Sequence, residues 1–130
     1  MGCEYKASCK ECGKRFRVRE GGGFTFHLLH CNKCGNERSI GFEKLGEIHY
    51  RYLKGLSGPY SVATSSSDRL IQQNFTGTPL SEEEYQASVE NIVGKCKCGG
   101  QFEFNAPLRC PKCKSTNLNV DLEKPSLYYD

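Results

Sequence analysis

The chain has 130 residues, of which 25% are charged and 11% aromatic, with 9 Cys, 14 Gly and no Trp. Leu, Ile, Val and Phe together make up about 21% of it, close to the level below which apolar burial alone does not hold a fold. That excludes one large hydrophobic core and calls for cross-links or metal. No apolar run reaches the roughly 18 residues of a membrane span, and no basic-then-apolar stretch opens the chain as in a secretory signal. The expectation is a soluble, cytoplasmic protein without a membrane partner. The formal charge of +3 counts every cysteine as neutral. Placing eight thiolates on two dications adds eight negative charges against four positive ones and brings the sum to −1. Residues 1–58 carry 11 Lys/Arg and 6 acids, and residues 59–130 carry 7 and 9, so only the N-terminal part is basic.

In chain order, Cys3 stands alone, as a free thiol. Cys9-x-x-Cys12 follows, and 18 residues later Cys31-x-x-Cys34. Between them Arg15-Phe16-Arg17-Val18-Arg19 alternates with the period of a half-buried strand. Gly21-Gly22-Gly23 makes a flexible turn, and Phe24 to His30 returns, which predicts a hairpin. Glu37 to Ile40 adds a third strand.

The middle reads as helical. Phe42, Leu45, Ile48, His49, Tyr52 and Leu53 recur at three- and four-residue steps, weakened by Gly46 and ended by Gly55 and Gly58-Pro59. Thr64 to Ser67 form a loop and cap for a short turn carrying Leu70, Ile71 and Phe75. Ser81 and Glu84 form a capping box, and Leu80 staples against Tyr85. Tyr85, Val89, Ile92 and Val93 then make one apolar helix face, closed by Gly94.

A gap of 61 residues separates Cys34 from Cys96-x-Cys98, and Cys110-x-x-Cys113 comes 11 residues after that. Gln101 to Phe104 runs out as a strand, Ala106-Pro107 turns, and Leu108 leads back to Cys110. Asn117 to Leu122 predicts a terminal strand.

Two cysteines two residues apart converge on one ion from a tight turn. A following glycine lets the backbone turn left-handed, and Gly13, Gly35 and Gly99 occupy that place. Four such sulfurs make a tetrahedral site that selects zinc or iron. In a reducing compartment these spacings read as metal ligands and not as disulfides. At these residues the sequence resembles the zinc-ribbon superfamily with rubredoxin-like knuckles, over roughly residues 3–42 and 92–122. The resemblance implies Cys9, Cys12, Cys31 and Cys34 as the ligands of one metal. It implies Cys96, Cys98, Cys110 and Cys113 as those of a second, hence two zinc ions per chain. Cys96-Lys97-Cys98 is one residue shorter than the usual knuckle, and Lys114 stands where a glycine is expected. The fold class that follows is a small metal-stabilised α+β protein, with two β-hairpin zinc ribbons joined by a helical segment. Its divisions are an N-terminal ribbon at 1–42, a helical connector at 43–94 and a C-terminal ribbon at 95–130.

A closed four-thiolate shell leaves no coordination position for water, which speaks against hydrolytic zinc chemistry. His27, His30 and His49 suit structural or surface roles. No nucleophile–base arrangement, phosphate loop or small-molecule site is legible, and no enzymatic activity is expected. Arg15, Arg17 and Arg19 share one strand face at about 7 Å intervals, a spacing suited to backbone phosphates, and Lys14 extends the stripe. The expected function is a protein-interaction or nucleic-acid-binding module, with the balance toward a protein partner and with Tyr50, Tyr52 and Tyr60 on its contact surface. The alternative is a rubredoxin-like iron-binding electron carrier.

Overall fold

The computed structural model describes residues 2–129. Its elements run β1 (Gly2–Cys9), β2 (Arg15–Glu20), β3 (Phe26–Cys31), β4 (Glu37–Gly41), α1 (Phe42–Leu45), α2 (Glu47–Gly55), α3 (Ser65–Asn74), α4 (Glu82–Val93), β5 (Phe102–Glu103), β6 (Leu118–Val120) and β7 (Leu127–Tyr129). The strands form two sheets. In the first, β1 pairs with β2 along one edge and with both β6 and β7 along the other. In the second, β3 lies between β4 and β5.

The strand over Arg15–Glu20 forms where the alternation places it, with Val18 buried and Arg15 and Arg17 exposed. Its partner differs from the expectation. β2 pairs with β1, in the register Lys6 opposite Arg17 and Ser8 opposite Arg15. β3 belongs to the other sheet, so residues 15–30 do not make a hairpin. The physical reason is visible in β3 itself, where His27, Leu28, Leu29, His30 and Cys31 are all buried. A strand covered on both faces needs the middle of a sheet, with the helices against it. Alternating β2, with one polar face, suits an outer edge lined by arginine. The expected C-terminal hairpin does not form among the described residues either. β5 adds to β3, and β6 adds to β1.

Gly46 breaks the helical stretch at 42–55 into α1 and α2, at a backbone φ of +55°. Helix α4 starts as its sequence dictates. The Ser81 hydroxyl accepts from the Glu84 amide, and the Ser81 amide donates to the Glu84 carboxylate, both at 3.2 Å. Gly94 ends the helix at φ +82°, its amide donating to the Glu90 carbonyl.

Leu29, Leu45, Tyr85, Val89 and Phe102 form the core together with Cys31, Cys34 and Cys96. It lies between β3 and the helices, and the ligand cysteines are part of it. At its centre the Tyr85 hydroxyl lies 2.7 Å from Nε2 of His27 and 2.8 Å from Nδ1 of His49. One hydroxyl hydrogen allows donation to one ring and acceptance from the N–H of the other, so the network joins β3, α2 and α4. Burial pushes both imidazoles down to about 4, helped for His27 by the nearby His49.

Replacing Tyr85 by Phe strands two buried imidazole nitrogens and should cost about 1–3 kcal/mol in urea unfolding. The histidines give the pH dependence its sign. Unfolded imidazoles take protons near 6.5, and the folded ones wait until about 4. The unfolded state therefore holds more protons in that window. The histidine contribution is complete above about 6.5 and is lost as pH falls toward 4. Ring-carbon NMR shifts of His27 and His49 that titrate near 4 would verify it.

Candidate metal centres

The eight paired cysteines gather into two groups of four, and the grouping is crossed. Cys9 and Cys12 stand with Cys110 and Cys113, and Cys31 and Cys34 stand with Cys96 and Cys98. This corrects the sets implied by the ribbon resemblance, in which neighbouring pairs shared an ion. The cause is the sheet pairing. β1 ends at Cys9 beside β6, with Cys9 opposite Leu118, which draws the 110–113 turn to the 9–12 turn. β3 ends at Cys31 opposite Phe102, which draws the 96–98 turn to the 31–34 turn. Each group therefore takes one turn from either end of the chain, and the segments 1–42 and 95–130 do not close as separate ribbons.

Within each group all four sulfurs lie within 4.8 Å of one another. The close pairs are Cys9–Cys113 at 3.4 Å, Cys12–Cys110 at 3.6 Å, Cys31–Cys98 at 3.4 Å and Cys34–Cys96 at 3.6 Å. Four sulfurs about 2.3 Å from a central zinc stand about 3.8 Å apart in a tetrahedron, so the residues fit such an ion. Backbone amides add donors to the sulfurs. Glu11 N–H reaches Cys9 Sγ, Lys33 N–H reaches Cys31, Gly100 N–H reaches Cys98 and Lys112 N–H reaches Cys110, each at 3.4 Å.

The thiols do not behave alike. Burial alone would raise Cys31 and Cys110, and the amides of Cys34 and Lys33, or of Cys113 and Lys112, overcome it and bring each down to about 6. Burial and three neighbouring thiols push Cys34 up to about 12. Cys113 also reaches about 12, where the Ser115 amide pulls its pKa down and the thiols of Cys9, Cys12 and Cys110 outweigh it. This is the pattern of like charges sharing a small space, in which some ionise only if a cation joins them.

The four turns are built on one plan. In the three with two intervening residues, the first cysteine amide donates five residues ahead, to Lys14, Asn36 or Ser115. Its carbonyl accepts from Gly13, Gly35 or Lys114. In the short turn the same bonds close one residue earlier, Cys96 to Gly100 and Gly99 to Cys96, at 2.8 and 3.0 Å. The missing residue therefore shortens the loop and keeps its bonding. Gly13, Gly35 and Gly99 have φ of +78°, +79° and +91°, and Lys114 takes +65°, the one non-glycine residue with positive φ among those described.

Two asparagines had no signal in the sequence beyond their place, Asn32 within a turn and Asn117 just after one. Asn32 Oδ1 accepts from the Gln101 amide at 3.0 Å, and its Nδ2 donates to Glu103 at 2.7 Å. The Asn117 carbonyl accepts from Lys10 at 2.9 Å, and its Nδ2 donates to Glu11 at 3.0 Å. Each asparagine ties the two turns of one group together. Gly100 was missed as well. A Cβ there would lie 2.5 Å from Cys31 Sγ and 2.7 Å from the Lys33 Cβ, so the facing turn leaves no room for a side chain.

The candidate phosphate stripe is only partly free. Arg17 pairs with Glu4 at 3.2 Å and Arg19 with Glu37 at 3.1 Å. Arg15 makes no ion pair among the described residues, and Lys14 follows the first turn. His30 is buried, with Nε2 unpartnered and 3.7 Å from Glu37, and it is not in either cysteine group. Cys3 is separate from both groups.

Two crossed four-cysteine groups on two small sheets with a helical insert define a small α+β protein able to hold two metal ions. The chain belongs to the family described as Domain of unknown function (DUF8255), whose family model matches residues 5–119. That span takes in all eight paired cysteines. The chain matched no curated protein and no solved structure.

Lys114 holds a conformation that costs a side-chain-bearing residue about 1–2 kcal/mol, partly offset by the backbone freedom that glycine loses on folding. Lys114→Gly should therefore raise stability, by about 0.5–1 kcal/mol on those terms. A urea midpoint that falls in this variant would count against the account.

Proposed function

We propose that this is a non-catalytic interaction module clasped by two structural zinc ions, with a protein as its partner. The observation that carries the reading is the crossed grouping of the cysteines. An ion in either group joins turns that lie at least 62 residues apart in the chain, so its work is to complete the fold. Four thiolates fill a tetrahedral shell, and no position is left for a water or a substrate. Zinc is preferred to iron because Cys12, Cys98 and Cys113 are exposed, whereas an electron carrier benefits from a dry, apolar shell around its centre. A protein partner is preferred because carboxylates already answer Arg17 and Arg19. Tyr50 and Leu70, 42% and 60% exposed on α2 and α3, offer apolar contact area.

One observation favours nucleic acid as a second reading. Each of the four turns carries a lysine between its cysteines, namely Lys10, Lys33, Lys97 and Lys112. Around the first group Lys14 and Arg15 add to them. Binding of that kind would be weak and steeply dependent on salt, because released counterions drive it.

Metal analysis of protein from cells supplied with both metals should give two zinc per chain and a colourless preparation. A red protein with near-stoichiometric iron would overturn the structural-zinc reading and support electron transfer. Cys110→Ser should reduce the count to one and release β6 to hydrogen exchange, with β5 still protected. For the second reading, single-stranded RNA is titrated at low salt against the native chain and the Lys14→Ala/Arg15→Ala variant. A saturable signal that the variant loses would move the assignment to nucleic acid, and no signal leaves the protein partner.

A further inference from the structure

Helix α4 opens with three glutamates, and the cap uses only Glu84. Glu82 makes no hydrogen bond or ion pair among the described residues. It stands beside a pocket of 310 Å³ whose walls include Tyr52, Tyr60, Tyr85 and Phe104. Tyr52 lies flat on Tyr85, with centroids 3.9 Å apart and planes 5° from parallel. Tyr60 meets Tyr52 at 66° with centroids 6.5 Å apart, and meets His27 at 84°. Tyr85 therefore covers one face of Tyr52, and Tyr60 stands steeply inclined to it.

The position of Tyr60 is set by a buried carboxylate. Asp68 is 4% exposed and accepts from the Tyr60 amide at 2.9 Å and from the Thr64 hydroxyl at 2.6 Å. Gly21 and Gly22 also form part of the wall. A Cβ at Gly22 would lie 2.4 Å from the Phe26 carbonyl oxygen, so this turn accepts no side chain there. Tyr129 donates to the carbonyl of Gly21, which ties the wall to β7. No Lys or Arg is among the described residues that line the pocket, and burial keeps His27 uncharged at neutral pH. Glu82 is the one Asp, Glu, Lys or Arg among the described residues of the lining.

Tyrosine faces carry negative potential and attract a cation, most strongly one that has lost little hydration by entering. An alkylated ammonium meets that condition better than a bare one, because its charge is spread under methyl groups. A carboxylate at the rim adds long-range attraction of the same sign. We propose that this pocket binds an alkylated ammonium group, with the cation against the faces of Tyr52 and Tyr60 and its charge answered by Glu82. The shared chemistry has two sources, a free quaternary amine or a methylated lysine side chain. The proposal does not depend on which metal the cysteines hold.

The test titrates the full-length, metal-loaded chain with choline, with blocked trimethyllysine and with 3,3-dimethylbutanol, the uncharged carbon isostere of choline. Aromatic NMR shifts of Tyr52, Tyr60 and His27 are the readout. Both cations should shift these resonances saturably, with the neutral isostere at least about tenfold weaker. The tighter of the two cations identifies the source. Glu82→Gln, on an exposed residue that the cap does not use, should weaken cation binding severalfold with unchanged shift dispersion. Equal binding of the isostere, no response to either cation, or a Glu82→Gln chain that binds as well as the native one would each overturn the proposal.

Discussion

Four sulfur atoms held within 4.8 Å of one another form a concentration of potential negative charge on which the remainder of this molecule depends. Thiols so close cannot all ionise unless a cation joins them. The raised values at Cys34 and Cys113 beside the lowered ones at Cys31 and Cys110 express that conflict. Because each group draws on both ends of the chain, meeting its charge requirement also brings β6 to β1 and β5 to β3. The sheets are short, β5 having two residues and β6 three. Pairs of that length have little independent stability, so the sulfur groups and the strand pairings support one another.

The helical insert is held by a different device. Its connection to β3 is the His27–Tyr85–His49 network, set among apolar residues. A buried polar network of this kind specifies one arrangement of elements, since misplacing any member strands the others. It also explains why a chain so poor in aliphatic residues can pack its helices at all. Tyr85 supplies a large buried ring, and the two imidazoles fill the space around it while satisfying its hydroxyl.

Much of this was legible in residue patterns, and the exceptions have physical causes. The Ser81/Glu84 box and Gly94 bound α4 because capping is chemistry within a few residues. The strand over Arg15–Glu20 follows from its alternation. Its partner does not, because a strand with one apolar face fits beside any neighbour that covers that face. The same ambiguity hid the crossed cysteine grouping, since spacing defines each turn and is silent on which turns meet. β1 and β7 escaped because Gly2–Cys9 and Leu127–Tyr129 lack a clear period and gain their order from pairing, β1 with β2, β6 and β7, and β7 with β1. Lys114 looked like a departure from the turn pattern. Its φ of +65° shows the pattern kept by the backbone without the residue that usually permits it.

The two sulfur groups are also nested, and nesting carries a consequence for assembly. Cys31 to Cys98 lies wholly inside Cys12 to Cys110, so one closed loop contains the other. Joining Cys12 to Cys110 in an open chain closes a span of 98 residues. Once the inner loop has closed, the effective span left to the outer one is about thirty residues, which lowers its entropic cost by about 1 kcal/mol. The saving is mutual, but the inner span of 67 residues is shorter than the outer one of 98. Closure from the inside outward therefore has the cheaper first step, and the outer group behaves as the second tooth of a clasp. A half-assembled chain would hold its helices and second sheet before β6 and β7 reach β1.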